Sequence, residues 1–87
     1  MDLEDWRKSI DALNLQLVEI LNVRAGCALA IAELKKKKNL PVYDPIREKQ
    51  VLDAVLAGNK GPLSSEAVLR IFACIIAEHR LLEESAG

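Results

Sequence analysis

Aromatic side chains are nearly absent: one Trp, one Tyr and one Phe make up 3% of 87 residues. Any core must come from Leu, Ile, Val and Ala, which suits packed helices, and there is little surface on which nucleic-acid bases could stack. Histidine occurs once and cysteine twice, at Cys27 and Cys74, far apart and without a CxxC pair. That leaves few ligands for a metal. No metal or cofactor is expected, and both cysteines read as small core residues. Neither sign of charge dominates: 12 basic against 13 acidic residues give a net charge of -1. Nothing global therefore draws the chain to nucleic acid or to an anionic membrane. Neither a signal peptide nor an apolar run of membrane-spanning length is read, so the expectation is a cytoplasmic protein with no membrane partner. The length suits one small domain, 1–87.

Helical periodicity is what the sequence has in abundance. Residues 2–38 contain no proline and a single glycine, Gly26. Apolar side chains recur at Leu3, Trp6, Ile10, Leu13, Leu17, Ile20, Cys27, Ile31 and Leu34, a spacing close to a heptad seam. Asn39, Leu40 and Pro41 end this helix. Asp44 has the form of an N-cap with Pro45 at the first helical position, opening a second helix that stops near Gly58. After the loop GNKGPL, Ser64 caps a third helix with Glu66 in its first turn. Val68, Phe72, Ile75, Ile76 and His79 mark the inner face of this helix. No strand alternation is present. The expected fold is all-α, with helices over about 2–38, 44–57 and 64–84.

The first helix is too long for its own chain to cover. At 1.5 Å per residue it spans about 54 Å, whereas a compact chain of this length has a radius of gyration of about 12 Å. Its apolar stripe runs almost to both ends. The excess needs a second chain, and an intertwined homodimeric helical bundle is expected.

Along that stripe, the position after Ile20 is Arg24. A guanidinium on a buried face needs an anion. Lys35 lies about 20° from Arg24 around the helix and about 16 Å along it. Lys38 is about 40° off on the other side, while Lys36 and Lys37 point elsewhere. On the third helix, His79 and Glu83 extend the row of Phe72 and Ile76. Each charge alone has a plain structural explanation: Arg24 paired with an internal Glu, Lys35 snorkelling, Glu83 in solvent at a helix end. Together they make a polar hollow of positive bias, suited to a small anion. Tyr43 can shape the loop above it, and Trp6 belongs at the dimer seam. Arg70 and Arg80 read as exposed.

These residues resemble the all-helical class of chorismate mutases. The likeness rests on Arg7, on LNVRAGCALAIAELK with Arg24 and Lys35, on VYDPIREKQVL, and on IFACIIAEHRLLEES. It covers nearly the whole chain in order and spacing. The resemblance implies that Arg7 and Arg24 bind the substrate's two carboxylates and that Lys35 lies near a carboxylate and the ether oxygen. It further implies that Glu48 and the backbone near Asp44 hold the ring hydroxyl, and that Arg47 helps to order the site. Glu83 falls where many bacterial members have Gln and fungal ones Glu, beside the ether oxygen. His79 stands at a substrate-contacting position where some members have Ser. Arg7 lies about 25 Å from Arg24 on one rigid helix, so it can serve only the partner's site, as the family is said to arrange.

The reaction so implied, chorismate to prephenate in phenylalanine and tyrosine biosynthesis, breaks one C–O bond as one C–C bond forms. It needs no nucleophile or metal, in keeping with a chain that lacks a nucleophile–base pair. Its requirements are restraint of the enolpyruvyl side chain and stabilisation of charge on the ether oxygen. Isochorismate-pyruvate lyase or aminochorismate mutase chemistry on the same scaffold, and a non-catalytic helical dimerisation module, are the alternatives.

Overall fold

The computed structural model describes residues 1–86 and contains three α-helices: α1 (Leu3–Lys37), α2 (Pro45–Gly58) and α3 (Ser65–Ser85). There is no strand among the described residues. Each start has a local cause. The Asp2 carboxylate accepts from the Asp5 amide while the Asp5 carboxylate accepts from the Asp2 amide, a reciprocal cap. The Asp44 carboxylate accepts from the Arg47 amide at 3.1 Å with Pro45 next in line. The Ser64 hydroxyl accepts from the Ala67 amide.

The end of α1 aims the linker back along the helix. Asn39 takes a left-handed conformation, φ 57°. Its amide donates to the Lys36 carbonyl, and the Leu40 amide reaches back to the Lys35 carbonyl at 2.8 Å. This pair of backward bonds closes the helix and turns the chain sharply. Asparagine tolerates the left-handed region where a β-branched residue does not. Asn39→Val is therefore expected to destabilise the fold by about 1–2 kcal/mol, and Asn39→Gly to be neutral or stabilising. Paired thermal melts would check both, and an unchanged melt for the valine variant would show that the turn does not depend on this residue.

The helix α3 packs on both α1 and α2. The buried positions are Ala28 and Ala32 of α1 with Val68, Ile76 and His79 of α3. All the buried α1 residues lie in its C-terminal half. The other half extends beyond the rest of the chain, and the molecule measures 55 × 24 × 15 Å with a radius of gyration of 15.9 Å. Trp6, Ile10, Leu13, Leu17 and Ile20 are each more than half exposed. So large an apolar surface is unusual for a monomer in water.

Two expectations need correction. Cys27 and Cys74 are exposed within this chain; Cys27 shares its stripe with Ile31 and Leu34, which are also exposed, whereas the face of α1 that is buried is the neighbouring one of Ala28 and Ala32. α1 is also long and apolar enough to cross a membrane by length and composition, with a mean hydropathy of 1.5 over 18 residues. The cause is the stretch Ala12–Ala32, which holds only two charged side chains, Glu19 and Arg24.

Candidate active site

At the covered end of α1, the three helices and the linker between α1 and α2 line an open-sided cavity of about 260 Å³. That is close to the lower end of pockets that hold small molecules, about 300 Å³. Its apolar wall includes Ala28, Ile31, Val42 and Val51. Its polar groups are Arg24 and Lys35 from α1, Arg47 from α2, and Arg80 and Glu83 from α3. Four cations thus face one carboxylate in a small space. The one-sided charge suits an anionic guest that brings more than one carboxylate.

Each side chain is held by its neighbours. The Lys35 ammonium donates to the Val42 carbonyl at 3.0 Å, which ties the folded-back linker to α1. The guanidinium of Arg24 contacts Nδ1 of His79. Arginine can only donate, so Nδ1 is the acceptor and the ring proton of the neutral imidazole sits on Nε2. Burial, with the nearby Arg24 charge second, holds the His79 pKa below its usual value, against a smaller opposing pull from Glu78. The opposite occurs at Glu83. Burial pushes its carboxyl above the usual range, although Lys35 and Arg24 pull the other way.

On the far wall, Arg80 donates to both carboxylate oxygens of Glu48, at 2.7 and 2.9 Å, and its guanidinium lies 4.8 Å from the centre of the Tyr43 ring. The hydrogen bond to Glu48 keeps Arg80 more firmly charged than usual. Arg80 was expected to be exposed. It is half-buried instead, and it joins α3 to both α2 and the linker. The signal for it was faint: position 80 is one turn after Ile76 and three residues before Glu83, on the flank of the inner face.

Of the residues singled out from the sequence, Arg24, Lys35, Arg47 and Glu83 line this cavity together. Glu48 stands beside it through Arg80. The Asp44 side chain is occupied as the cap of α2. His79 is buried behind Arg24 and is not part of the wall. Arg7 pairs with Glu4 at 2.9 Å on the extended half of α1 and is well exposed. Lys36 faces a second hollow of about 520 Å³, which shares Val42 and Glu83 with the first.

With this geometry in view, comparison with known proteins is decisive. The profile of the family described as chorismate mutase type II matches residues 6–84. The chain belongs to that family. Among its relatives, the bifunctional chorismate mutase/prephenate dehydratase of Aquifex aeolicus is 36% identical over 87 residues, covering 95% of this chain and 24% of the relative. The chain therefore spans about a quarter of the length of the curated relatives it matches first. Among solved structures, form II of the Thermus thermophilus chorismate mutase superposes with a TM-score of 0.92 at 32% identity, covering 94% of this chain and 93% of that one. The Helicobacter pylori chorismate mutase, solved in complex with prephenate, gives a TM-score of 0.88 at 31% identity over 97% of this chain and 91% of that one. The family's all-helical architecture is thus present here in its three elements and their order.

Proposed function

We propose that this chain is a chorismate mutase, converting chorismate to prephenate in the cytoplasm as one half of an intertwined homodimer. The observation that carries this reading is the convergence of Arg24, Lys35, Arg47 and Glu83 on one small cavity. Family membership supports it over lyase or aminochorismate chemistry and over a non-catalytic module, as does the likeness to an enzyme solved with prephenate.

The reaction breaks the ether C–O bond and forms a C–C bond within one molecule, with no proton gained or lost. Two things then limit the rate. The enolpyruvyl arm must be held over the ring, which guanidinium–carboxylate pairs from Arg24 and from the partner's Arg7 would do, the latter reaching across the dimer. The negative charge growing on the ether oxygen must also be met by groups already in place. Lys35 supplies a cation. Glu83 supplies a hydrogen bond, but only while protonated. Glu48, steadied by Arg80, and the backbone near Asp44 receive the ring hydroxyl, with Arg47 ordering that side. The second copy covers the exposed face of α1, which by composition alone could also have been a membrane span. Sedimentation without detergent separates the two: a dimer supports the seam, and aggregation that detergent relieves counts against it.

The Glu83 role has a pH signature. Its raised pKa favours the protonated form in the folded state. The matching stability is present at acid pH and lost as pH rises from the ordinary carboxyl range through the raised value. Across the same window kcat/KM for chorismate should fall, because the donor is lost. Glu83→Gln, which donates at every pH, should remove that fall. The direct test of the overall reading is depletion of chorismate by the purified chain, with isochorismate run in parallel. No turnover of chorismate would overturn it, and an unchanged pH profile in the glutamine variant would take Glu83 out of the mechanism.

A further inference from the structure

We propose that His79 is a positioning residue for Arg24, acting through its Nδ1 lone pair and not by touching substrate. This inference deepens the reading above and rests on it for its activity measurement. His79 is the one buried polar residue of the described chain, and its Nδ1 is spent on the Arg24 guanidinium. The contact spans 55 positions in sequence and joins α3 to α1. Arg24 lines the cavity, while His79 stands behind it.

The consequence for Arg24 is orientation. A guanidinium carries five N–H donors in a fixed plane. Engaging one of them from behind fixes that plane and leaves the others directed at the cavity, where a carboxylate can take two in parallel. Without an acceptor at this place the arginine side chain, with its many rotamers, would have to be ordered by the substrate itself.

The same contact makes the site sensitive to acid. A protonated imidazole has no acceptor and would present an N–H to a cation. The charged groups that act on the ring are Arg24 from α1 and Glu78 beside it on α3, with Glu83 one turn further along the same helix. From α2, Arg47 lines the cavity with Arg24, and Glu48 is taken by Arg80. Glu78 offsets only part of the cost of an imidazolium pressed against Arg24. Acid should therefore weaken binding through Arg24 before it affects Lys35.

The test uses two variants and one spectroscopic measurement on the intact chain. Asparagine can place its side-chain oxygen near the position of Nδ1, whereas alanine offers no acceptor. His79→Ala is expected to lower kcat/KM for chorismate by about 10–100-fold, the worth of a hydrogen bond to a charged group. His79→Asn should recover most of that loss and remove the decline of kcat/KM on the acid side, since an amide does not titrate there. Thermal melts of both variants would confirm that they fold. In the wild-type chain, nitrogen NMR should find Nδ1 unprotonated and hydrogen-bonded, with its signal shifted by Arg24→Lys. If asparagine fails as badly as alanine, Nε2–H contacts the substrate and the positioning role is wrong. That role is equally overturned if alanine retains full activity, or if Nδ1 carries the proton. Should the wild-type chain not turn over chorismate, the functional reading falls, and the NMR measurement still decides the His79–Arg24 contact by itself.

Discussion

Replacing Lys35 with alanine should lower kcat/KM for chorismate by about 10²-fold or more, the usual cost of losing one preorganised group at a developing oxyanion. Lys35 has no carboxylate partner within ion-pair distance among the described residues; its single hydrogen bond goes to the Val42 carbonyl. Its charge is therefore available to an anion in the cavity. Two controls separate this effect from loss of structure. The first is the thermal melt, because the bond to Val42 also pins the linker; a variant that loses activity but keeps its melting temperature has lost chemistry. The second is the pH profile. Lys35 is the stronger of the two charges that hold the Glu83 pKa down. Removing it should let the pKa of that carboxyl rise further, so the fall of the remaining activity with rising pH should move to higher pH. A loss below about tenfold, with the melt unchanged, would mean that the ether oxygen is stabilised elsewhere.

The parts of this site that the sequence made legible are those governed by one helix at a time. Arg24 and Lys35 are on a single rigid rod, so their spacing alone places them on one face. The starts of α2 and α3 were equally readable, because Asp44, Pro45 and Ser64 act on their own neighbours. What could not be read depends on how α3 meets the other two helices. The Arg24–His79 contact requires the register of α3 against α1. The Arg80–Glu48 pair requires the register of α3 against α2 together with the folding back of Tyr43. Arg80 stood one position off the apolar stripe, and a long side chain can reach the cavity from there. The cysteines failed for a related reason. Apolar periodicity groups Cys27 with Ile31 and Leu34, but within one chain the buried face of α1 is the neighbouring one, that of Ala28 and Ala32.

The uncovered half leads to the second large effect. Arg7→Ala and Arg24→Ala should each be nearly inactive alone, yet mixing them with exchange of subunits should restore about a quarter of the wild-type specific activity, a figure that comes from two-fold symmetry. Random pairing makes about half of all dimers hybrid. In each hybrid, one site combines an intact Arg24 with the partner's intact residue at position 7, while the other site lacks both. The geometry leaves no other way to recover function. Arg7 and Arg24 lie on one straight helix about 25 Å apart, and Arg7 is exposed and paired only with Glu4. A small substrate held by Arg24 cannot be touched by Arg7 of the same chain. If hybrids form, as mass spectrometry of the intact dimers would reveal, and activity stays at the level of the separate variants, the sites are not shared. The long apolar half of α1 would then serve assembly alone. Recovery near a quarter would instead tie the length of α1 directly to catalysis, since a shorter helix could neither build the seam nor carry Arg7 across it.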